Sequence, residues 1–523
     1  MKLALSLSML IVLAPEAAQT PARAPGQERM RADLEFLCSP PLEGRASLSR
    51  GADAAAWFLA AEMRKAGLAP PDGSSYLQHF DLVPLRLDRE RSTVLVRRGG
   101  SEQRFSPAAV FFPDPAREID LTLDVVSAGF GITAPEFGYD DYAGLDVRGK
   151  AVLVFDHEPR EGDPLSAFHG TGFTLHAHAW TKTRNAEQHG AAAVLLVTEP
   201  VNAHRSAPRA PDRANAPPQA LARSELNIPR FTLPAEAAAA LLETTGRAPA
   251  EWQREIERAM QPASRPLPGV MVSLRAANGE AAAQPSWNVA GLLPGTDPRL
   301  RGETILVTAH YDHLGDQNGK PYPGANDNGS GIAAMLEAAR LLADRPLPRS
   351  VLFVAFGSEE QLMLGSYHYV AHPLRPLETT RAVLNLDMVG RNEAHTPESE
   401  GAYEVTAGRS DQLNLVGAAF SADLARLLER EGTRAGVALS DKFDRDSSMR
   451  ALFRCDHLPF LQKGIPAVWI FGGFHPGYHE PADTIDRLDF DKLSRAVSLT
   501  MNSVRALGSA APPPRFGQTG ARR

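Results

Sequence analysis

Cysteine is nearly absent, with only Cys38 and Cys455 in 523 residues. That excludes a fold held together by a network of disulfides. The two thiols can pair or stay free, and their separation in sequence does not decide between these. Positive charge is not in excess either. Lys and Arg number 55 against 62 Asp and Glu, for a net charge of −7, so nothing points to a nucleic-acid partner. Long hydrophobic runs are also lacking. The apolar stretch 3–14 (LALSLSMLIVLA) is too brief to span a bilayer. With Lys2 before it and Ala18 or Ala22-Arg23-Ala24 after it, the stretch has the pattern of an export signal. Residues 1–24 are assigned to that signal. No cysteine closes it, so no lipid or membrane anchor is expected, and the mature chain is expected to be secreted or periplasmic. No internal repeat is visible, which sets aside a solenoid.

Four short apolar runs stand out, each leading into residues capable of chemistry. Residues 302–309 (GETILVTA) precede His310, 350–357 (SVLFVAFG) precede Ser358, Glu359 and Glu360, 381–386 (RAVLNL) precede Asp387, and 466–473 (PAVWIFGG) precede His475 and His479. Runs of this length, rich in Val, Ile, Leu and Phe, read as buried strands. Side chains delivered at the carboxyl ends of several strands meet in one crevice if the strands share an open α/β sheet. The expected fold is therefore α/β, an open and mostly parallel twisted sheet with helices on both faces.

Imidazole and carboxylate are zinc ligands, and two metals sharing one carboxylate can hold a single hydroxide. His310 and Asp312 are two apart, so on an extended chain they face one side, and Asp312 is placed to orient His310 from behind. Asp327 stands just before Gly329-Ser330-Gly331, where Ile332, Met335, Leu336 and Ala339 begin a helical pattern; that turn suits a bridging ligand. Glu359 and Glu360 diverge if the chain is extended, so that one binds metal while the other takes a proton. Singly, His310 reads as a core histidine, Asp327 as a helix cap and His479 as a loop histidine. The bland reading must hold at every one of these positions together, which argues against it.

These residues stand in an ordered series of motifs: AHYDHLG at 309–315, PGANDNGSG at 323–331, SEE at 358–360 followed by LGS, NLDMVGR at 385–391 and GYHEPADT at 477–484. The series resembles the co-catalytic di-zinc aminopeptidases, relatives of glutamate carboxypeptidase and glutaminyl cyclase. The resemblance implies two Zn2+ per chain, one on His310 and Asp387, the other on Glu360 and His479, with Asp327 bridging. It also implies Glu359 as general base and Asp312 as the carboxylate behind His310. Peptides with a free N-terminus would be the substrates. A carboxypeptidase would need cations to grip a free carboxylate, and Arg391 and Arg454 stand isolated. The same scaffold also serves a glutaminyl cyclase or a non-catalytic binding protein, and the motifs leave both readings open. His457 and Tyr478 are candidates to polarise the scissile carbonyl, and Cys455 stands where relatives often carry serine.

The implied catalytic domain comprises residues 25–118 and 276–508. Between them, 119–275 has a different texture, with apolar runs separated by Gly-rich and acidic turns. The segments GYDDY at 138–142, VRGK at 147–150 and HGAA at 189–192 resemble a protease-associated domain, a β-rich module inserted in this family. His176 and His178 read as surface histidines, residues 203–223 as a mobile loop, and 509–523 as a disordered tail. Glu43 and Arg45, in the EGR segment at 43–45, read as a structural salt bridge.

Overall fold

The computed structural model describes residues 26–517 apart from 203–217, 280–281 and 398. The expected export signal and most of the expected mobile loop lie outside the described residues. Two large sheets organise the chain, one of nine strands and one of eight.

The nine-stranded sheet is built from β1 (Leu77–Pro84), β2 (Gln219–Leu221), β3 (Gln284–Leu293), β4 (Thr304–His310), β5 (Ser350–Phe356), β6 (Thr380–Asp387), β7 (Gln412–Val416), β8 (Ala438–Ser440) and β9 (Ala467–Phe471), in the order β2-β1-β3-β5-β4-β6-β9-β7-β8. The central strands β5, β4, β6 and β9 are mutually parallel. Antiparallel pairs flank them, β3 against β5 on one side and β7 against β9 on the other. The parallel character expected from the four apolar runs thus belongs to the centre of a mixed sheet.

Alternation along the central strands feeds two cores. Ile305, Val307 and Ala309 of β4 and Val351, Phe353 and Ala355 of β5 face helices α1 (Gln27–Leu37), α2 (Arg50–Lys65), α3 (Gly331–Ala343), α4 (Ala422–Ala435) and α5 (Phe490–Gly508). Leu306, Leu352, Val354 and Phe356 face the opposite side, where Tyr369, Phe460 and Leu461 pack. Burial on both faces explains why these strands read as continuous apolar runs without alternation. Each fully buried Leu, Ile, Val or Phe contributes about 1.5–3 kcal/mol relative to exposure.

The eight-stranded sheet runs in the order Ser101–Phe105, Thr93–Arg98, Arg265–Ala276, Ile119–Ser127, Ala151–Phe155, Ala193–Val197, Arg230–Leu233, Ala109–Phe111. Its strands begin at Thr93, ahead of the boundary expected at 119. The apolar runs near 121, 150 and 191 do form strands. The whole unit emerges between β1 and β3, which pair antiparallel with Leu82 opposite Gln284; its short segment β2 returns to extend the first sheet beside β1.

Three local expectations change. Arg45 is fully buried and bonds four backbone carbonyls rather than Glu43. His178 caps a helix at Ala179–Gln188 and meets Gln462 at 3.1 Å, so it belongs to the contact between the two units. Residues 509–517 lie against the start of α4: Ser421 Oγ donates to Arg515 O, Gly517 N donates to Phe420 O, and Phe516 stacks on Phe420. Residues 518–523 lie outside the described residues. Cys38 and Cys455 are free thiols.

Candidate metal centre

The carboxyl ends of the four parallel strands carry the chemistry. His310 is the last residue of β4, Asp387 the last of β6, and Glu359 and Glu360 occupy a 3-10 turn just past β5. His479 lies in the loop beyond β9, and Asp327 in the turn Ala325–Ser330 that leads into α3. That turn is fixed from three sides. Asp483 accepts from Asn326 N (2.9 Å) and Asp327 N (3.0 Å). Asn328 donates to Leu386 O at 2.9 Å and accepts from Gly331 N at 2.9 Å, fastening the turn to β6. Gly324 (φ +57°) leaves room for it, since a Cβ there would lie 2.4 Å from Asp327 O.

The side chains meet. His310 Nε2 is 3.4 Å from Asp327 Oδ1 and 3.5 Å from Asp387 Oδ1. His479 Nε2 is 3.1 Å from Asp327 Oδ2 and 3.4 Å from Glu360 Oε1. Asp327 thus turns one oxygen to each group. Two donors on a tetrahedral zinc, each about 2.0–2.1 Å from the ion, lie about 3.3 Å apart, so these separations fit zinc. The donor state fits as well. His310 Nε2 and Asp387 Oδ1 are buried and have no hydrogen-bond partner among the described residues, an arrangement that costs free energy unless something binds there.

The family model for peptidase family M28 matches residues 288–504, the stretch that carries every residue of this cluster. Aminopeptidase YwaD of Bacillus subtilis is 34% identical over 231 residues, 42% of this chain and 44% of the relative. The probable lipoprotein aminopeptidase LpqL of Mycobacterium tuberculosis is 26% identical over 226 residues, 39% of this chain and 42% of the relative. The chain thus spans less than half the length of these two curated relatives. Among solved structures, a zinc aminopeptidase from Bacillus subtilis aligns over 92% of this chain and 95% of its own, with 23% identity and a TM-score of 0.45.

Within the matched segment, the two adjacent glutamates are electrostatically unlike. Burial foremost holds the Glu359 carboxyl well above the usual range, and the carboxylates of Asp456, Glu360 and Asp387 add to this against the opposing pull of His310. Burial also acts to raise Glu360, but His479 and His313 outweigh it and hold Glu360 well below the usual range. His479 is pushed up to about 9: burial lowers it, and Glu360 and Asp327 more than compensate. Neighbouring carboxyls with opposite shifts are suited to different tasks, one to carrying a proton and the other to staying ionised.

Asp312 stands 3.8 Å from His310 Nδ1. Its hydrogen bonds go elsewhere, accepting from Glu359 N (2.9 Å) and Glu360 N (3.2 Å), so it also fixes the turn that presents both glutamates. Cys455 Sγ donates to Asp387 Oδ2 at 2.9 Å. One buried residue of the site has no place in the sequence-based set: His313, whose Nδ1 is 2.9 Å from Glu360 Oε1. The signal is there, a second histidine in AHYDHLG, but spacing alone does not separate it from a loop residue.

A cavity of about 460 Å³ opens over the cluster, lined by Asp327, Glu359, Glu360 and Asp387 on its floor and by Met363, Met449, Phe453, Trp469, Phe474 and Tyr478 on its walls. Tyr478 lines it and its hydroxyl accepts from Arg454 Nη2 at 3.1 Å. His457 is fully buried and is not part of the lining.

Proposed function

We propose that the protein is an exported aminopeptidase that removes the N-terminal residue of peptides, using two zinc ions held by His310, Asp387, Glu360 and His479 with Asp327 shared between them. The single observation that carries this reading is the pair of donor groups meeting on the two oxygens of Asp327 beneath an open cavity. Zinc bound there would polarise a water molecule and the scissile carbonyl. Glu359, raised by burial and touching the same space, takes the proton of the attacking water and returns it to the leaving amine. Asp312 holds Glu359 in place through its backbone amide. Tyr478 accepts from Arg454, which leaves its own proton directed to the carbonyl oxygen as negative charge develops there. The acidic floor suits a substrate ammonium, and the apolar walls suit a large apolar first residue. Export is supported by the pattern of residues 1–24. The eight-stranded unit reads as a protease-associated domain bordering the cavity, because Phe173 packs on the wall residue Phe453 with ring centroids 5.0 Å apart.

The test is Glu359→Gln assayed on aminoacyl anilides beside N-acetylated and C-terminally blocked peptides, with and without chelator. Activity should need a free amino end and disappear with chelator. The variant should keep its metal and lose about a hundred- to ten-thousand-fold in kcat. A metal-loaded variant with wild-type turnover removes Glu359 as the base, and cleavage that demands a free carboxyl end rules out the aminopeptidase reading.

A further inference from the structure

Resting on the two-metal reading above, we propose that His313 is a fourth protein ligand at the position formed by Glu360, His479 and Asp327, so that this position is closed by protein while the one on His310 and Asp387 stays open. His313, Asp327 and Glu360 place donor atoms within 4.8 Å of one another, as do His310, Asp327 and Asp387. His313 Nδ1 lies 2.9 Å from Glu360 Oε1 and 3.8 Å from Asp327 Oδ2. His479 approaches the same two oxygens at 3.4 and 3.1 Å. The two imidazoles therefore converge on one pair of carboxylate oxygens, their rings 5.8 Å apart and inclined at 64°. These separations bracket the roughly 3.3 Å between donors on one tetrahedral zinc.

The state of the ring supports coordination over a structural role. His313 is buried: its Nδ1 faces the Glu360 carboxylate at 2.9 Å, and its Nε2 has no hydrogen-bond partner among the described residues. The Nδ1 lone pair and the two carboxylate oxygens thus face one another in a buried space, where a bound cation would take all three. The ring is also held in place. His313 N donates to Arg45 O at 3.1 Å, and its ring lies so close to Gly324 that a Cβ there would be 2.7 Å from His313 Cγ. Zinc positions closed by four protein groups hold their ion structurally, whereas three protein groups leave a place for water or substrate. Asp327, His310 and Asp387 make three, while Asp327, Glu360, His479 and His313 make four. The two ions are then unequal: the closed position fills first and releases last.

The experiment strips the full-length protein with chelator and titrates zinc back against a competing indicator. Wild type should bind two ions, one at least tenfold tighter than the other. His313→Ala should bind two with the tighter affinity reduced by about 10- to 100-fold or more, at least the loss seen when an outer partner of a ligand is removed. His313→Gln separates the roles: it can donate a hydrogen bond to Glu360 but coordinates zinc poorly, so an affinity like that of His313→Ala supports coordination. Full retention in His313→Gln overturns the proposal, as does an unchanged His313→Ala. Zinc-edge absorption of wild type at one equivalent requires no variant. Two imidazoles per zinc are expected, and one imidazole overturns the proposal. Wild type that binds fewer than two ions instead sinks the two-metal reading itself, so the two failures are distinguishable.

Discussion

Arg45 is fully buried, and its guanidinium donates to Leu37 O, Tyr311 O, Pro323 O and Gly324 O at 2.5–3.0 Å. It thereby ties the chain just after His310 to the chain just before Asp327, and both flanks of the metal centre depend on one side chain. Methionine at this position fills similar space and satisfies none of the carbonyls. Arg45→Met should cost at least about 3 kcal/mol in denaturant unfolding, since bonds to a charged donor are worth about 1.5–3 kcal/mol each and buried acceptors left bare cost more. A loss under 1 kcal/mol would show that water replaces the guanidinium. At this scale the sequence is partly legible. The motifs single out His310, Asp327, Glu359, Glu360, Asp387 and His479, and the structure brings all six together. They do not mark His313, and they present Arg45 as one half of a salt bridge, because backbone carbonyls that a buried cation bonds are not visible as partners in the sequence. Backbone geometry is hidden altogether: Ser358, Leu362, Met363, Met388 and His479, all beside the cavity, have positive φ. Such conformations cost about 1–3 kcal/mol each and persist only where surrounding contacts impose them, which no local propensity records.

Among elements, strands buried on both faces are the easiest to read, because burial from two sides removes polar residues from the run. Short connections are the hardest. The single 3-10 turns Glu359–Gln361 and Ala451–Phe453 have no periodicity to detect, yet one presents the glutamates and the other forms a wall of the cavity. That wall rests on the other unit. Phe453 packs against Phe173 and lies 5.1 Å from the His178 ring, and Thr171 exchanges backbone and side-chain bonds with Ser447 and Arg445. Phe173 is 4% exposed, so Phe173→Ala should open space behind Phe453 and destabilise the protein by about 3–5 kcal/mol. Steady-state kinetics at a temperature where the variant is folded should show KM rising several-fold for peptides with a large apolar first residue, with kcat nearly unchanged. A fall in kcat at constant KM would mean that the wall positions the reacting groups instead of the substrate side chain.

On the scale of the whole molecule, every proposed ligand lies between residues 310 and 479, outside the eight-stranded unit. That unit hangs from one hairpin: β1 and β3 pair directly, Leu82 opposite Gln284, so its two ends leave the first sheet side by side. The change of texture near residue 119 is legible; the participation of residues 93–111 is not, because edge strands such as Ser101–Phe105, largely exposed, lack an apolar signature. Joining β1 to β3 by a short turn in place of residues 86–281 should therefore leave the parallel strands and the metal centre intact. The truncated chain loses the β2 edge, the Lys463–Glu225 ion pair at 2.6 Å and the Arg184 bond to Gln462 O at 2.7 Å, and it uncovers Phe453. Elemental analysis should find as much zinc per chain as in the full-length protein, thermal unfolding should occur at lower temperature, and discrimination among first residues should narrow because the wall behind Phe453 is gone. Loss of metal from a truncated chain that is still folded, judged by circular dichroism, would mean that the ligand loops depend on the inserted unit for their geometry. Retained metal with full discrimination would confine the specificity to walls built by residues 288–504 alone.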